Sequence, residues 1–143
     1  MKRNSLALQI VLVFVAALIG YVVVYGWIDH RRVFKGPWVV TFSSESSAPA
    51  ISVNQSTLGI RDVRLVFAGA PATSNVTQTV EFSQARPWPY AVPHGRCVFM
   101  DTTFLPGTIA LEVFGHEIQL MPRVLTIDKV ERPWRSGETI ELK

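Results

Sequence analysis

Leu6–Ile28 reads LALQIVLVFVAALIGYVVVYGWI, an apolar run in which Gln9 is the one strongly polar side chain. A helix rises about 1.5 Å per residue, so this run is long enough to cross a hydrocarbon layer roughly 30 Å thick. Because no water reaches the backbone in such a layer, a single crossing segment has to be helical. The sequence therefore predicts a single-pass transmembrane helix over residues 6–28, preceded by a short basic tail at residues 1–5.

A cleaved signal peptide is the alternative to a permanent anchor. Secretory apolar regions usually extend over about 7–15 residues and end at a small-x-small cleavage site. The run here is longer, and the sequence Val24–Gly26 matches such a site poorly. We therefore expect an uncleaved anchor in the cell membrane, with a cytoplasmic tail and an extracytoplasmic (periplasmic) β domain. Basic residues flank both ends of the run, so the positive-inside rule is close to a tie. The orientation is favoured because a basic tail before a long apolar run is the ordinary export signal.

One face of the predicted helix suits packing against a second helix. Ala16 and Gly20 are small residues four positions apart, a spacing that lets two helix backbones approach closely. At about 100° per residue, Gln9 lies on the same stripe and its amide can hydrogen-bond across such a contact. A plain anchor remains the alternative, because small residues at this spacing are common in spans. The predicted packing residues are Gln9, Val13, Ala16, Gly20 and Val23.

The carboxyl end of the run has the composition of a membrane interface. Amphipathic aromatic rings favour the headgroup zone, and a basic cluster suits anionic headgroups. Residues 29–37 then form a basic juxtamembrane linker, which is too short for a flexible tether and should keep the next domain close to the bilayer. The predicted interface residues are Tyr25, Trp27, Arg31, Arg32 and Lys35.

Residues 38–143 alternate apolar and polar side chains, with turn residues about every eight to twelve positions. No convincing amphipathic helix lies between the predicted strands, which disfavours a parallel sheet. The sequence predicts an all-β domain, a small antiparallel β-sandwich of about eight short strands, immunoglobulin-like or related. A small barrel is the less favoured alternative. The side chains expected to face the core include Trp38, Val40, Phe42, Val63, Leu65, Phe67, Ile109, Leu111 and Val113.

Several strand limits follow from turn residues. A strand over 97–104 should end at the turn sequence Leu-Pro-Gly, and Gly115 should form a tight hairpin connection. Pro122 interrupts the next run, which makes 124–127 either a bent strand or a new edge strand. In the segment 76–82 we expect Val76, Val80 and Phe82 to point inward.

Charge and cysteine content exclude some classes of function. The net charge of +3 is scattered over 143 residues, and the domain lacks the basic stripe with interleaved aromatics that indicates nucleic-acid binding. Cys97 is the single cysteine, so an internal disulfide and a two-cysteine redox motif are excluded.

A metal or catalytic site has weak support. His94 and Cys97 are spaced like two metal ligands, and a soft copper site would also need Met100 and His116. Zinc would need four ligands from few candidates. A surface histidine and a buried thiol are the favoured interpretation, because an apolar strand raises a thiol pKa rather than activating it. We predict that the protein is not an enzyme and binds no cofactor.

The most unusual stretch is Arg86–His94, which reads RPWPYAVPH. Its prolines favour an extended backbone, and aromatic side chains on a rigid backbone lose little entropy on binding. Arg132–Arg135 repeats the Pro-Trp pair. Alternatively these loops fold back and seal the sandwich, which we favour for the second Pro-Trp pair and leave open for the first stretch. The predicted contact residues are Arg86, Trp88, Tyr90, Trp134 and Arg135.

These patterns predict a non-catalytic accessory or scaffolding subunit that braces or caps a larger membrane complex, for example a respiratory or photosynthetic one. Its partners would be other membrane protein subunits and the lipid bilayer. The alternative is a membrane-anchored module that binds cell-wall glycan or polysaccharide through Trp88, Tyr90 and Trp134. A metal or redox role through His94 and Cys97 is a third and less favoured hypothesis.

Overall fold

The computed structural model describes residues 2–33, 35–44, 48–71 and 77–143. The chain divides into two compact units, Met1–Arg32 and Val33–Lys143. The first unit is one helix, α1, which spans Lys2–Val33 and so begins before and ends after the predicted run Leu6–Ile28. Within it, Ser5–Arg32 is long and apolar enough to cross a membrane and reaches a mean hydropathy of 2.7. Its large apolar side chains are exposed.

The second unit consists of two β-sheets. A short 3-10 turn, Ser56–Leu58, connects the second and third strands. The strands in the described part of the chain are β1 Trp38–Ser44, β2 Pro49–Gln55, β3 Ile60–Phe67, β4 Gln78–Phe82, β5 Tyr90–Val92, β6 Gly95–Asp101, β7 Thr108–Val113, β8 His116–Leu120, β9 Leu125–Ile127, β10 Val130–Arg132 and β11 Thr139–Leu142. The first sheet has the order β11-β3-β2-β1-β4, and the second has the order β10-β9-β8-β7-β6-β5.

The predicted alternation places the core correctly. Every residue that the pattern assigned to the interior of β1, β3 and β7 is buried, and side chains from both sheets join one apolar cluster. The all-β prediction for this unit is therefore confirmed. Phe82 is buried in the same cluster, and the half-buried Val80 packs against it. Val76 lies outside the described residues.

The structure corrects the predicted strands in several places. It has more than about eight strands, because short strands form at Tyr90–Val92 and Val130–Arg132, where proline and charged residues hide the alternation. The prediction of a purely antiparallel fold is wrong for one pair of strands, because β11 runs parallel to β3. β6 ends at Asp101, whose carboxylate accepts a hydrogen bond from the Thr103 amide. β9 is not an edge strand, because it lies between β8 and β10.

Tight turns connect the strands of the second sheet at one end. The predicted hairpin is confirmed, with Phe114 and Gly115 both at positive φ between the paired residues Val113 and His116. The β9–β10 turn has the same form, with Asp128 and Lys129 at φ 49° and 67°. Two-residue turns of this hand match the twist of antiparallel strands, which explains the short connections.

A buried glutamine fixes the segment that leads into β1. Gln55, at the end of β2, is 2% exposed. Its Nε2 group donates to the carbonyl oxygens of Lys35, Gly36 and Pro37 at 2.9, 3.0 and 3.0 Å. Its Oε1 atom accepts a hydrogen bond from the Thr57 amide at 2.8 Å. Both ends of one side-chain amide are therefore used to hold the start of the domain against the 3-10 turn.

Candidate functional site

An aromatic pair is exposed on the outer face of the second sheet. Trp88, in the connection from β4 to β5, is 52% exposed, and Phe99 of β6 is 42% exposed. Their rings meet edge to face, with centroids 5.5 Å apart and planes at 64°. Edge-to-face contact is a favoured geometry for aromatic rings and fixes the orientation of the exposed indole.

A β-bulge explains why Phe99 points outward. Cys97 pairs with Leu111 and Phe99 pairs with Ala110, so β6 has one more residue than β7 between these two pairs. The extra residue reverses the side-chain alternation. Cys97 therefore faces the core while Phe99 faces out. Sequence reasoning missed Phe99, because a continuous apolar run such as CVFM does not show which residues face outward.

Arg86 and Tyr90 belong to the same segment as Trp88 and contact each other. The guanidinium carbon of Arg86 is 5.6 Å from the centroid of the Tyr90 ring, a cation–π distance. Tyr90 is half-buried, and its hydroxyl donates to the Met100 sulfur at 3.4 Å. Burial raises the pKa of Tyr90 well above its usual range. Tyr90 pairs with Cys97 and packs against the core, whereas Arg86 is exposed.

Trp134 belongs to a separate cluster. Its ring lies 5.3 Å from the fully buried Trp38 ring, and its Nε1 group donates to the Met121 carbonyl at 2.8 Å. Trp38 in turn donates to the Gly107 carbonyl at 3.0 Å. Arg135 is exposed next to this cluster. Trp134 therefore packs against the core, whereas Trp88 packs on Phe99, and the two Pro-Trp segments have different partners.

The candidate metal ligands contact different groups. His94 lies with Nε2 3.3 Å from the Ser43 carbonyl, and His116 Nδ1 lies 2.7 Å from an Asp128 carboxylate oxygen. That contact, together with the Glu117 amide, lowers the pKa of Asp128. Over the residues that the structure describes, no group of three or more His, Cys, Asp or Glu side chains could hold a metal ion.

Cys97 is fully buried, and its Sγ atom lies 3.3 Å from the Phe99 carbonyl. Burial raises the pKa of this thiol, although a hydrogen bond with Tyr90 partly offsets the effect. A thiol in such a setting is a poor nucleophile, because the thiolate is the reactive form. The geometry gives Cys97 the role of a small apolar core residue.

Cys97 should react with iodoacetamide at least about 100-fold more slowly in the folded chain than in urea, at the same mildly alkaline pH. Mass spectrometry of timed samples measures this ratio. A Ser83→Cys variant provides an exposed thiol on the same domain as the control for reagent activity. Rapid labelling of native Cys97 would contradict the buried position and would revive the redox hypothesis.

The predicted packing stripe of α1 is open. Gln9, Val13, Ala16, Gly20 and Val23 are all exposed, and a Cβ atom built on Gly20 would meet nothing within 4 Å. At the carboxyl end, the Arg31 guanidinium carbon lies 4.3 Å from the centroid of the Trp27 ring. This contact places a positive charge at a cation–π distance from the indole. Tyr25 stacks on Tyr21, with centroids 6.1 Å apart.

No protein family, curated protein or solved structure matches this chain. Trp88 and Phe99 are two of the four large apolar side chains that are exposed in the described part of the second unit. Phe104 and Val130 are the other large apolar side chains exposed in the described part of the second unit.

Proposed function

We propose that this chain is a non-catalytic, single-pass membrane-anchored accessory subunit. In this proposal its β domain docks onto other subunits of a larger membrane complex, for example a respiratory or photosynthetic one, through the exposed pair Trp88 and Phe99, and the exposed Arg86 of the same segment adds a charged contact. The observation that supports it is the exposed aromatic pair, Trp88 on Phe99. The proposal retains an immunoglobulin-like or related topology for the sandwich.

The chemistry of this surface suits a protein partner. Tryptophan and arginine are the residue types that most often dominate the energy of protein interfaces. Trp88 stands between two prolines, and Phe99 holds one edge of its ring. Because both the backbone and the ring are already restricted, little conformational entropy is lost when a partner covers them.

The helix contributes the second half of the proposal. Its length and hydropathy suit a permanent anchor, with the β domain on the extracytoplasmic side. The open stripe around Ala16 and Gly20 is proposed to pack against a helix of the same complex, where small residues allow close approach. Trp27, Arg31 and Lys35 would meet the lipid headgroups.

Trp88→Ala should reduce retention of the chain in its complex by roughly tenfold, because an aromatic anchor at an interface centre is worth that much or more. Native gel electrophoresis of a mild detergent extract measures the fraction that migrates with the complex. Val130→Ala is the control, since Val130 is exposed to a similar degree and lies on β10, the strand at the opposite edge of the second sheet.

Photo-cross-linking tests the same contact directly, with a photo-reactive amino acid introduced at position 88 or, as the control, at position 130. We expect one discrete membrane-protein adduct from position 88 and none from position 130. Equal retention of both alanine variants, with no adduct from either position, would disprove the docking proposal. Retention of the chain on polysaccharide that Trp88→Ala abolishes would replace the proposal by the glycan-binding alternative.

A further inference from the structure

A second β-bulge shapes the outer face of the first sheet. Val53 pairs with Val63 and Gln55 with Ile60, so β3 has one more residue than β2 between these pairs. Asp62 occupies this extra length at a φ of 50°. Its amide donates to the Asn54 Oδ1 atom at 2.9 Å, which fixes the turned backbone. Bulges often redirect a side chain at a functional site, and this one places Asp62 on the outer face.

Small hydroxyl side chains surround an arginine beside Asp62. The strand register aligns Thr41, Ser52, Arg64 and Thr139 in one row across four strands. Serine and threonine are much shorter than arginine, so they leave a hollow around the guanidinium. The hollow has a volume of about 340 Å³, near the lower limit of small-molecule sites. Its lining residues are Ser43, Ser52, Asp62, Arg64, Gly137 and Thr139.

We infer that this hollow binds a neutral, polyhydroxylated ligand, namely one or two sugar units of a saccharide. The charges of the lining residues decide the class of ligand. An anion would be attracted by Arg64 but repelled by Asp62. A cation would be attracted by Asp62 but repelled by Arg64. A neutral ligand with several hydroxyl groups uses both charges, because hydroxyl groups donate to the carboxylate and accept from the guanidinium.

The hydroxyl side chains extend this complementarity. Ser52 and Thr139 each carry a hydroxyl group that can both donate and accept hydrogen bonds, so they adapt to the hydroxyl pattern of a sugar ring. The Ser43 hydroxyl donates to the Ala50 carbonyl at 3.4 Å and can accept from the ligand. The hollow is open and offers no aromatic ring among its lining residues. We therefore expect weak binding, with a Kd on the order of 1 mM, as for a shallow site that leaves much of its ligand in water.

This inference is independent of the proposed docking function. The hollow lies on the outer face of the first sheet, whereas Trp88 and Phe99 lie on the second sheet and its connection. A variant at one surface should therefore leave the other unchanged, and the two proposals can fail separately.

The test is an NMR titration of the isotope-labelled full chain in nanodiscs, which avoids detergents that carry sugar headgroups. The probes are maltotetraose, cellotetraose and chitotetraose, with tetragalacturonate as the acidic comparison. We expect saturable shifts of the Ser52, Asp62 and Thr139 amides with at least one neutral probe. Thr139→Val removes one hydroxyl at nearly constant shape and should weaken binding severalfold, and Arg64→Met should abolish the shifts.

The unaffected amides of the second sheet show in each titration that the variant remains folded. Trp88→Ala is the control for location and should leave the shifts in place. The inference is overturned if no neutral probe causes saturable shifts at its solubility limit, or if tetragalacturonate binds more tightly than every neutral probe. It is equally overturned if Trp88→Ala abolishes the shifts, which would move the saccharide to the aromatic surface.

Discussion

Gln55→Glu is expected to lower the free energy of unfolding of the β domain by about 4 kcal/mol at neutral pH. The substitution keeps the shape of the side chain but replaces the Nε2 donor by a carboxylate oxygen. That oxygen would face the carbonyl oxygens of Lys35, Gly36 and Pro37, which now accept hydrogen bonds from Nε2. Three acceptors would lose their donor and a negative charge would be buried among them. The loss is a large share of the roughly 5–15 kcal/mol that stabilises a typical domain.

Urea unfolding of the full chain in detergent micelles, followed by tryptophan fluorescence, measures this change. Gln78→Glu is the matched control, because Gln78 is exposed on β4 and should tolerate the same substitution with little change. Burial should raise the pKa of the new glutamate in the folded state. The loss of stability should therefore be complete above that pKa and should shrink as the pH falls towards the unfolded-state pKa of about 4.3. An equal effect of both substitutions would show that the Gln55 hydrogen bonds contribute nothing.

Gly107→Ala should destabilise the domain by at least about 3 kcal/mol, for a steric reason. Gly107 has a φ of 66°, and a Cβ atom there would collide with the Asp101 carbonyl oxygen and press on that of Phe104. Relief of this clash requires movement of the loop whose Gly107 carbonyl accepts the Trp38 indole hydrogen bond. The substitution thus loosens the largest side chain of the core.

Gly59→Ala separates the clash from the backbone cost. Gly59 has a φ of 73°, but a Cβ atom there would meet nothing within 4 Å. It should lose only the roughly 1–2 kcal/mol that a left-handed conformation costs an alanine. Thermal and urea unfolding of the two variants give the difference, which is the contribution of the close approach at Gly107. If the two variants lose equal stability, the tight packing of the loop on Asp101 is refuted.

Periodicity in the sequence was sufficient to place the core but not the partners of each strand. The alternation in Trp38–Phe42 and in residues 109–113 arises because one face of each strand is buried. Successive side chains point to opposite faces, so this pattern is visible within a single strand. The parallel pairing of β11 with β3 joins residues 75 positions apart, such as Thr139 and Arg64, and leaves no local pattern in either strand. β10 was missed for a different reason, since all three of its residues are exposed and no alternation exists to detect.

The candidate site was predictable in part. Proline and aromatic residues pointed to Arg86–His94, and Trp88 does reach the surface there. The outward position of Phe99 depends on a bulge whose partner, Ala110, lies on another strand. The hollow around Arg64 likewise depends on four strands being in register. The side chain of Gln55 donates hydrogen bonds to carbonyl groups nearly twenty residues earlier in the chain. None of these arrangements has a local pattern, because each arises only when distant segments meet.

The interior position of β1 has a mechanical consequence. β1 directly follows the segment that leads from α1, and it is hydrogen-bonded to β2 on one side and to β4 on the other. Hydrogen bonds in these ladders lie across the strand direction, so tension drawn along the chain loads many of them together in shear. A pulling force applied through α1 would therefore have to break the hydrogen bonds of β1 to both neighbouring strands together. An edge strand would instead detach one hydrogen bond at a time.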